Sequence, residues 1–258
     1  MIVVSTDGGP ATSPRRSDGA LLAASIDVEW TKNYKIKNGN RPFCYSAVWI
    51  EVPGDATPSD LAGCSFAYSS VYADDDTETG HLAELAAVDL ARAIRNADLL
   101  IGHQLCTDLG VLAAHTSSAD VSAVLEATRN AWRSRRAQTD PWIIDTRYDA
   151  TSLLTGRSRR LVNVCTELGL DVTQPELIRT SMTALHRSWL ATGSTEARER
   201  VTVMNLRHSL SAALVGLRAA GWGTWTPVLN VNDLLDAELA GTFAWINHPT
   251  FRALTSSA

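Results

Sequence analysis

The feature that most constrains this chain is a change of periodicity near residue 75. Before it, three β-type segments follow one another over short links. After it, helical periodicity alternates with short apolar runs. The first segment, "ALLAASIDVEW" at 20–30, is a nearly unbroken apolar run ending in acids. The second, "FCYSAVWIEV" at 43–52, is rich in aromatic and β-branched residues, and the third, "SFAYSSVYA" at 65–73, alternates. An Asn38-Gly39 pair between the first two is a hairpin signal. Three sequential strands so linked predict an antiparallel meander.

Helices are predicted over 77–97, from Thr107-Asp108 onward, over 119–137, over 158–168 and over 175–190. A long one covers 195–220, opened by Ser194 and closed before Gly221. Between them, "ADLLIGH" (97–103) and "WIIDTRYD" (142–149) read as strands that helical crossovers make parallel. The expected fold is α/β: a mixed five-stranded sheet, three antiparallel strands followed by parallel ones, flanked by helices. Residues 1–19 are expected to be a disordered leader, since Gly, Ser, Pro, Asp and Arg dominate them. Residues 20–220 form the main domain, and 221–258 an extension packed on it.

Composition sets bounds on function. The 258 residues carry a formal net charge of −5, which excludes a wholesale basic surface but not a basic strip. Cys44, Cys64, Cys106 and Cys165 match no zinc spacing, and a reducing, cytoplasmic location is expected. No apolar run approaches the roughly 20 residues of a membrane span.

Asp27 and Glu29 are two apart on a strand, so they project from one face. Carboxylates held that close repel unless they share a proton or a cation, and hard divalent ions favour such oxygens. A solvated edge pair is the plainer alternative. Asp108 follows the end of the run "ADLLIGH", where an α/β sheet commonly places its chemistry. It also suits a helix N-terminus, where the macrodipole favours an acid.

In order and spacing, "IDVEW" and "LIGHQLCTDLGVL" resemble the first two motifs of the DEDD 3′–5′ exonucleases. These are proofreading and RNase D-like nucleases with a ribonuclease H-like fold. Asp27 and Glu29 match the first motif. Gly102, His103 and Asp108 match the second, with Gln104 where Asn is common. "WIIDTRYDATSLLTGRSRRLVNVCTELGL" is similar to the family's middle segment, in which a strand ends in an acid, here Asp145. The resemblance spans about residues 21–217. It implies a two-metal hydrolysis of phosphodiester bonds at a single-stranded DNA or RNA 3′ end, with Mg²⁺ or Mn²⁺ as cofactor. Asp27 would bridge both ions, Glu29 would bind one and place the terminal nucleotide, and Asp108 would support the second.

The third motif departs from the family. In "VTVMNLRHSLSAALVGL", His208 stands where the fourth Asp is expected and Met204 where a Tyr is expected. Taking His208 as the motif's own histidine puts Ala213 at the acid place. His208 therefore has three open roles: a ligand that favours Mn²⁺ over Mg²⁺, a general base, or the mark of an inactive site. An ordinary surface histidine is the fourth alternative, and Met204 reads as packing. The same resemblance allows a catalytically degenerate protein that binds nucleic acid or a protein partner.

Three basic clusters are candidates for a nucleic-acid surface. Lys32, Lys35, Lys37 and Arg41, beside Trp30 and Tyr34, directly follow the acid pair and suit base stacking with phosphate pairing. Arg157, Arg159 and Arg160 form a second cluster. Arg133, Arg135 and Arg136 read as a solvated face. His103 and Gln104 are placed to touch substrate or only to hold their turn.

Overall fold

The computed structural model describes residues 1–6, 16–32, 35, 39–55, 57–138 and 141–256. Ten strands and nine α-helical segments are found among them. The strands are β1 (Ile2–Ser5), β2 (Ala20–Thr31), β3 (Arg41–Pro53), β4 (Ser59–Asp60), β5 (Ala67–Tyr72), β6 (Leu99–Gly102), β7 (Ile143–Asp145), β8 (Leu170–Asp171), β9 (Gly223–Thr224) and β10 (Leu229–Asn230). The helices are α1 (Thr79–Asn96), α2 (Leu105–Ala113), α3 (Ala119–Ser134), α4 (Thr146–Asp149), α5 (Leu161–Glu167), α6 (Met182–Thr192), α7 (Thr195–Ala219), α8 (Val231–Leu239) and α9 (Pro249–Arg252).

The main sheet has six strands in the order β1-β5-β3-β2-β6-β7. β2, β3 and β5 pair antiparallel, as the meander predicts, and β6 and β7 add in parallel to β2. The sixth strand corrects the expected leader: Ile2–Ser5 pairs antiparallel with Ser69–Tyr72. Four residues of β-forming character are enough when an existing edge supplies the hydrogen bonds. The Asn38-Gly39 turn lies partly outside the described residues.

The alternation of β2 sorts its side chains between two cores. Leu22, Ala24, Ile26 and Val28 join Leu82, Ala86 and Leu90 of α1 and Leu105 and Leu109 of α2. Ala23, on the other face, joins Val203, Leu206, Leu210 and Leu214 of α7. Trp225, Leu234, Phe243, Trp245 and Phe251 belong to that second core, so the extension shares it with α7. Small residues bring α7 close to the sheet. Ser209 Oγ is 2.7 Å from Ser46 Oγ, and a Cβ on Gly216 would lie 2.6 Å from Ile101 Cγ2.

Element boundaries differ from expectation at three places, and a side-chain cap decides two of them. The strand read over 142–149 stops at Asp145, whose carboxylate accepts from Arg147 N and starts α4. The helix read over 158–168 begins only at Leu161. The one read over 175–190 breaks into a 3₁₀ turn, Pro175–Leu177, and α6, which Ser181 caps through Ala184 N. No helix of the described residues is long and apolar enough to cross a membrane.

Candidate metal centre

Asp27 and Glu29 lie just beyond the point where β6 ends, since Gly102 pairs with Ile26. Both turn toward α7. Helical spacing places Asn205 and His208, three residues apart, on the face of α7 that meets them. His208 Nδ1 is 3.1 Å from Glu29 Oε1 and 3.6 Å from Asp27 Oδ2. Asn205 Nδ2 donates to Asp27 Oδ2 at 2.7 Å, and Cys44 Sγ, beneath it, donates to Asn205 Oδ1 at 3.6 Å. Asp27, Glu29 and His208 offer ligand atoms that all lie within 4.8 Å of one another.

Asp108 stands beside this group rather than inside it. It sits within α2, is 2% exposed, and its Oδ2 has no hydrogen-bond partner. Burial, then repulsion by Asp27, Glu29 and Asp145, holds its pKa well above the usual carboxylate range. Glu29 is raised as well, by burial first and by Asp27, while its hydrogen bond to His208 pulls the other way. Burial alone would depress the His208 imidazole. Hydrogen bonds to Asp27 and Glu29, with the charges of both, outweigh it and push the pKa up to about 10.

The second motif folds as a buttressed turn. Gln104 has φ +66°, in the left-handed region that Asn adopts more readily than Gln. Asp145 holds that turn: Gln104 N donates to its Oδ1 at 3.0 Å and Leu105 N to its Oδ2 at 3.1 Å. Trp132 Nε1 donates to the same carboxylate at 2.8 Å. His103 Nδ1 is 3.0 Å from Thr146 Oγ1, and burial holds its imidazole down to about 4, so it is neutral.

The expected nucleic-acid residues are dispersed. Trp30 packs against the α1–α3 side of the sheet, past an irregularity between Glu29 and Trp30, so it is not placed beside the acids as a stacking surface. Lys32 and Lys35 are exposed, and the Lys32 charge favours ionised Glu29. Tyr34 and Lys37 lie outside the described residues. Arg41 is taken up by Asp76, at 2.7 Å. Arg159 Nη1 donates to Gly156 O at 2.7 Å, and Arg160 is exposed at the start of α5. Gln104 contributes its backbone to the turn. The solvated face expected at 133–136 is corrected at Arg135. That side chain is buried, makes a bidentate pair with Asp149, and stacks 4.2 Å above the Trp132 ring.

Sequence reasoning missed two residues of the site. Asn205 was findable, because it lies three residues before His208 and so shares its helix face. Asp145 was seen as a strand end, but its capping role depends on the contact between β6 and β7 and leaves no local signal. Met204 is fully buried with Phe43 and Tyr72, as packing predicts.

No protein-family model matches the chain, and no curated protein matches it. The geometry of the site and the pattern of its motifs therefore carry the functional argument.

Proposed function

We propose that this chain is a metal-dependent 3′–5′ exonuclease of the DEDD type, acting on the 3′ end of single-stranded DNA or RNA in the cytoplasm. The observation that supports it most strongly is the buried Asp108 carboxylate with an unpartnered oxygen beside the Asp27–Glu29 pair. No donor is bonded to that oxygen, and the charges of Asp27 and Glu29 bear on the same carboxyl group, a surplus that a cation would offset. The strand order supports the same reading. Counting from β2, it runs third, second, first, fourth, fifth, as a ribonuclease H-like sheet would, with β1 added at the edge. Four cysteines without disulfides suit a reducing compartment.

The donor set fits a divalent ion: carboxylate oxygens from Asp27, Glu29 and Asp108, and an imidazole nitrogen from His208. One nitrogen among oxygens favours Mn²⁺ over Mg²⁺. Bound there, two such ions would supply Lewis-acid stabilisation of the attacking and leaving oxygens. The chain's own residues do the positioning. Asp27 is held by Asn205, Glu29 by His208, and the helix carrying Asp108 by the Asp145 cap on its first turn. In its alternative role His208 stays off the ion and, once deprotonated, would accept a proton from water. Such help is worth about 10²–10⁴-fold.

A second reading has its own observation. His208 and Asn205 already occupy oxygens of Glu29 and Asp27 at 3.1 and 2.7 Å. An internal cation in the ion's place is what a catalytically degenerate binding protein would show. The deciding experiment is release of nucleotides from a 3′-labelled single strand with Mn²⁺ or Mg²⁺. The proposal expects Mn²⁺-dependent release that Asp27→Ala abolishes; undiminished release by that variant would sink it. Strand binding with no release under either metal would establish the second reading instead.

A further inference from the structure

Gly102 pairs with Ile26 on one side and with Asp145 on the other. The turn that follows it leads into α2 and lies between the strand of Asp27 and the start of α4. His103, in that turn, contacts Thr146, and the next two residues are Arg147 and Tyr148. Arg147 Nη1 donates to Arg159 O at 3.2 Å, which joins α4 to the arginine run at 157–160. The guanidinium groups of Arg135, Arg136 and Arg147 each lie 5.9 Å from the centre of the Tyr148 ring. Tyr148 is 38% exposed, an unusual setting for an aromatic with three cations around it.

The charges of this patch are not balanced. Asp149 is consumed by Arg135 and leaves Arg136 a contact of 3.5 Å, with the Arg136 side chain 64% exposed. Glu167, the acid that feels the charge of Arg159, is occupied by Thr155 and the Gly156 N–H. Arg147 and Arg159 make no ion pair among the described residues. Arg136 is exposed, while Arg147 and Arg159 are half-buried, each with Nη1 on a backbone carbonyl. Guanidinium groups without a carboxylate partner pair phosphates, and an exposed ring beside them stacks an unpaired base.

We propose that Arg136, Arg147, Tyr148 and Arg159 form a track that holds single-stranded nucleic acid upstream of the end seated at Asp27. His103 marks the junction: it feels the charges of Asp27 and His208 and is bonded to Thr146 at the start of α4. The track rests on the exonuclease reading for its direction, but its occupant follows from the chemistry of the patch. A duplex does not fit that chemistry, because Tyr148 needs an unpaired base to stack on.

The test is fluorescence anisotropy of a short 5′-fluorescein-labelled single strand with the full chain in EDTA, over a salt series. The double variant Arg147→Ala/Arg159→Ala should bind about tenfold more weakly, with a salt slope lower by about 1.4, roughly 0.7 for each phosphate no longer neutralised. Tyr148→Ala should also weaken binding about tenfold, within the range of one base–aromatic stack. Arg95→Ala, exposed on α1, should stay within about twofold. Should the double variant fail to fold, the exposed Arg136→Ala and Tyr148→Ala carry the test. Equal affinity for the track variants and Arg95→Ala overturns the proposal. So does an unchanged Tyr148→Ala combined with heparin displacing the strand as well as unlabelled oligonucleotide does, since that marks a general polyanion surface. Nucleotide release by the wild type with unaltered binding by the track variants overturns the track and spares the nuclease reading. Track-dependent binding without release overturns the nuclease reading and spares the track.

Discussion

Arg207 and His208 are neighbours on α7, yet they meet carboxylates in different ways. Arg207 and Glu176 are both fully buried, and two N–H groups face two oxygens at 3.3 and 3.1 Å. Trp245 Nε1 adds a third donor to the same carboxylate at 3.4 Å. One cation answers one anion, and Phe251 and Trp245 close the surroundings. One residue on, His208 faces Asp27 and Glu29, with Asp108 close behind, so a single imidazole stands against three carboxyl groups. The first arrangement ties the Pro175–Leu177 turn to α7, with Trp245 of the extension bonded to the same carboxylate. The second gathers more carboxyl groups than packing requires, and the proposed cation site rests on that surplus.

The comparison breaks most visibly by removing one partner from the balanced pair. Glu176→Ala leaves Arg207 charged and buried alone, and should cost about 3–5 kcal/mol in urea unfolding. A loss below about 1 kcal/mol would show that water reaches Arg207 and that the pair is not closed.

Between the two arrangements lies a buried base that meets a hydroxyl in place of a carboxylate. His186 stacks on Phe43 at 4.2 Å and is 2.8 Å from the Tyr72 hydroxyl. Burial holds its pKa down to about 4 from an ordinary 6.5, with Asp76 and Arg187 pulling in opposite senses. A base depressed in the folded state must gain its proton on unfolding. Its stabilising contribution is complete above about pH 6.5 and is lost as pH falls toward 4. The loss should approach about 3 kcal/mol. His186→Gln should remove that part of the pH dependence, as urea unfolding at pH 7 and pH 4.5 will register.

The smallest expected effect has the opposite sign to the first. Asp108→Asn removes an acid whose ionised form the fold disfavours. In EDTA at pH 7 it should stabilise the protein by about 1 kcal/mol. An acid whose folded pKa is raised destabilises only above its unfolded value, so the gain should shrink as pH falls toward 4. Destabilisation at pH 7 would place Asp108 among the structural acids with Glu176.

Much of this was legible in the sequence. The i, i+2 spacing of Asp27 and Glu29 needs only the pleat of β2 to bring them together, and the long periodic run of α7 fixed the register of His208. The meander and its parallel additions followed from apolar segments and link lengths. What stayed hidden depended on contacts between distant segments. The strand at Ile2–Ser5 is too short to declare itself without the edge of β5. The end of β7 at Asp145 is a capping event, and reading the strand on to Asp149 concealed α4, with Arg147 and Tyr148. Arg135 looked like one of a solvated run because its partner, Asp149, was assigned to that same strand.

The central claim is that Asp27, Glu29, His208 and Asp108 form a cation site. Isothermal titration of Mn²⁺ into the full chain at pH 7.5, against the Asp27→Ala variant, tests it without relying on activity. The account predicts saturable binding by the wild type, accompanied by proton release as His208 deprotonates to bind the ion, and its loss in Asp27→Ala. Equal binding by both proteins, or none by the wild type, would contradict it.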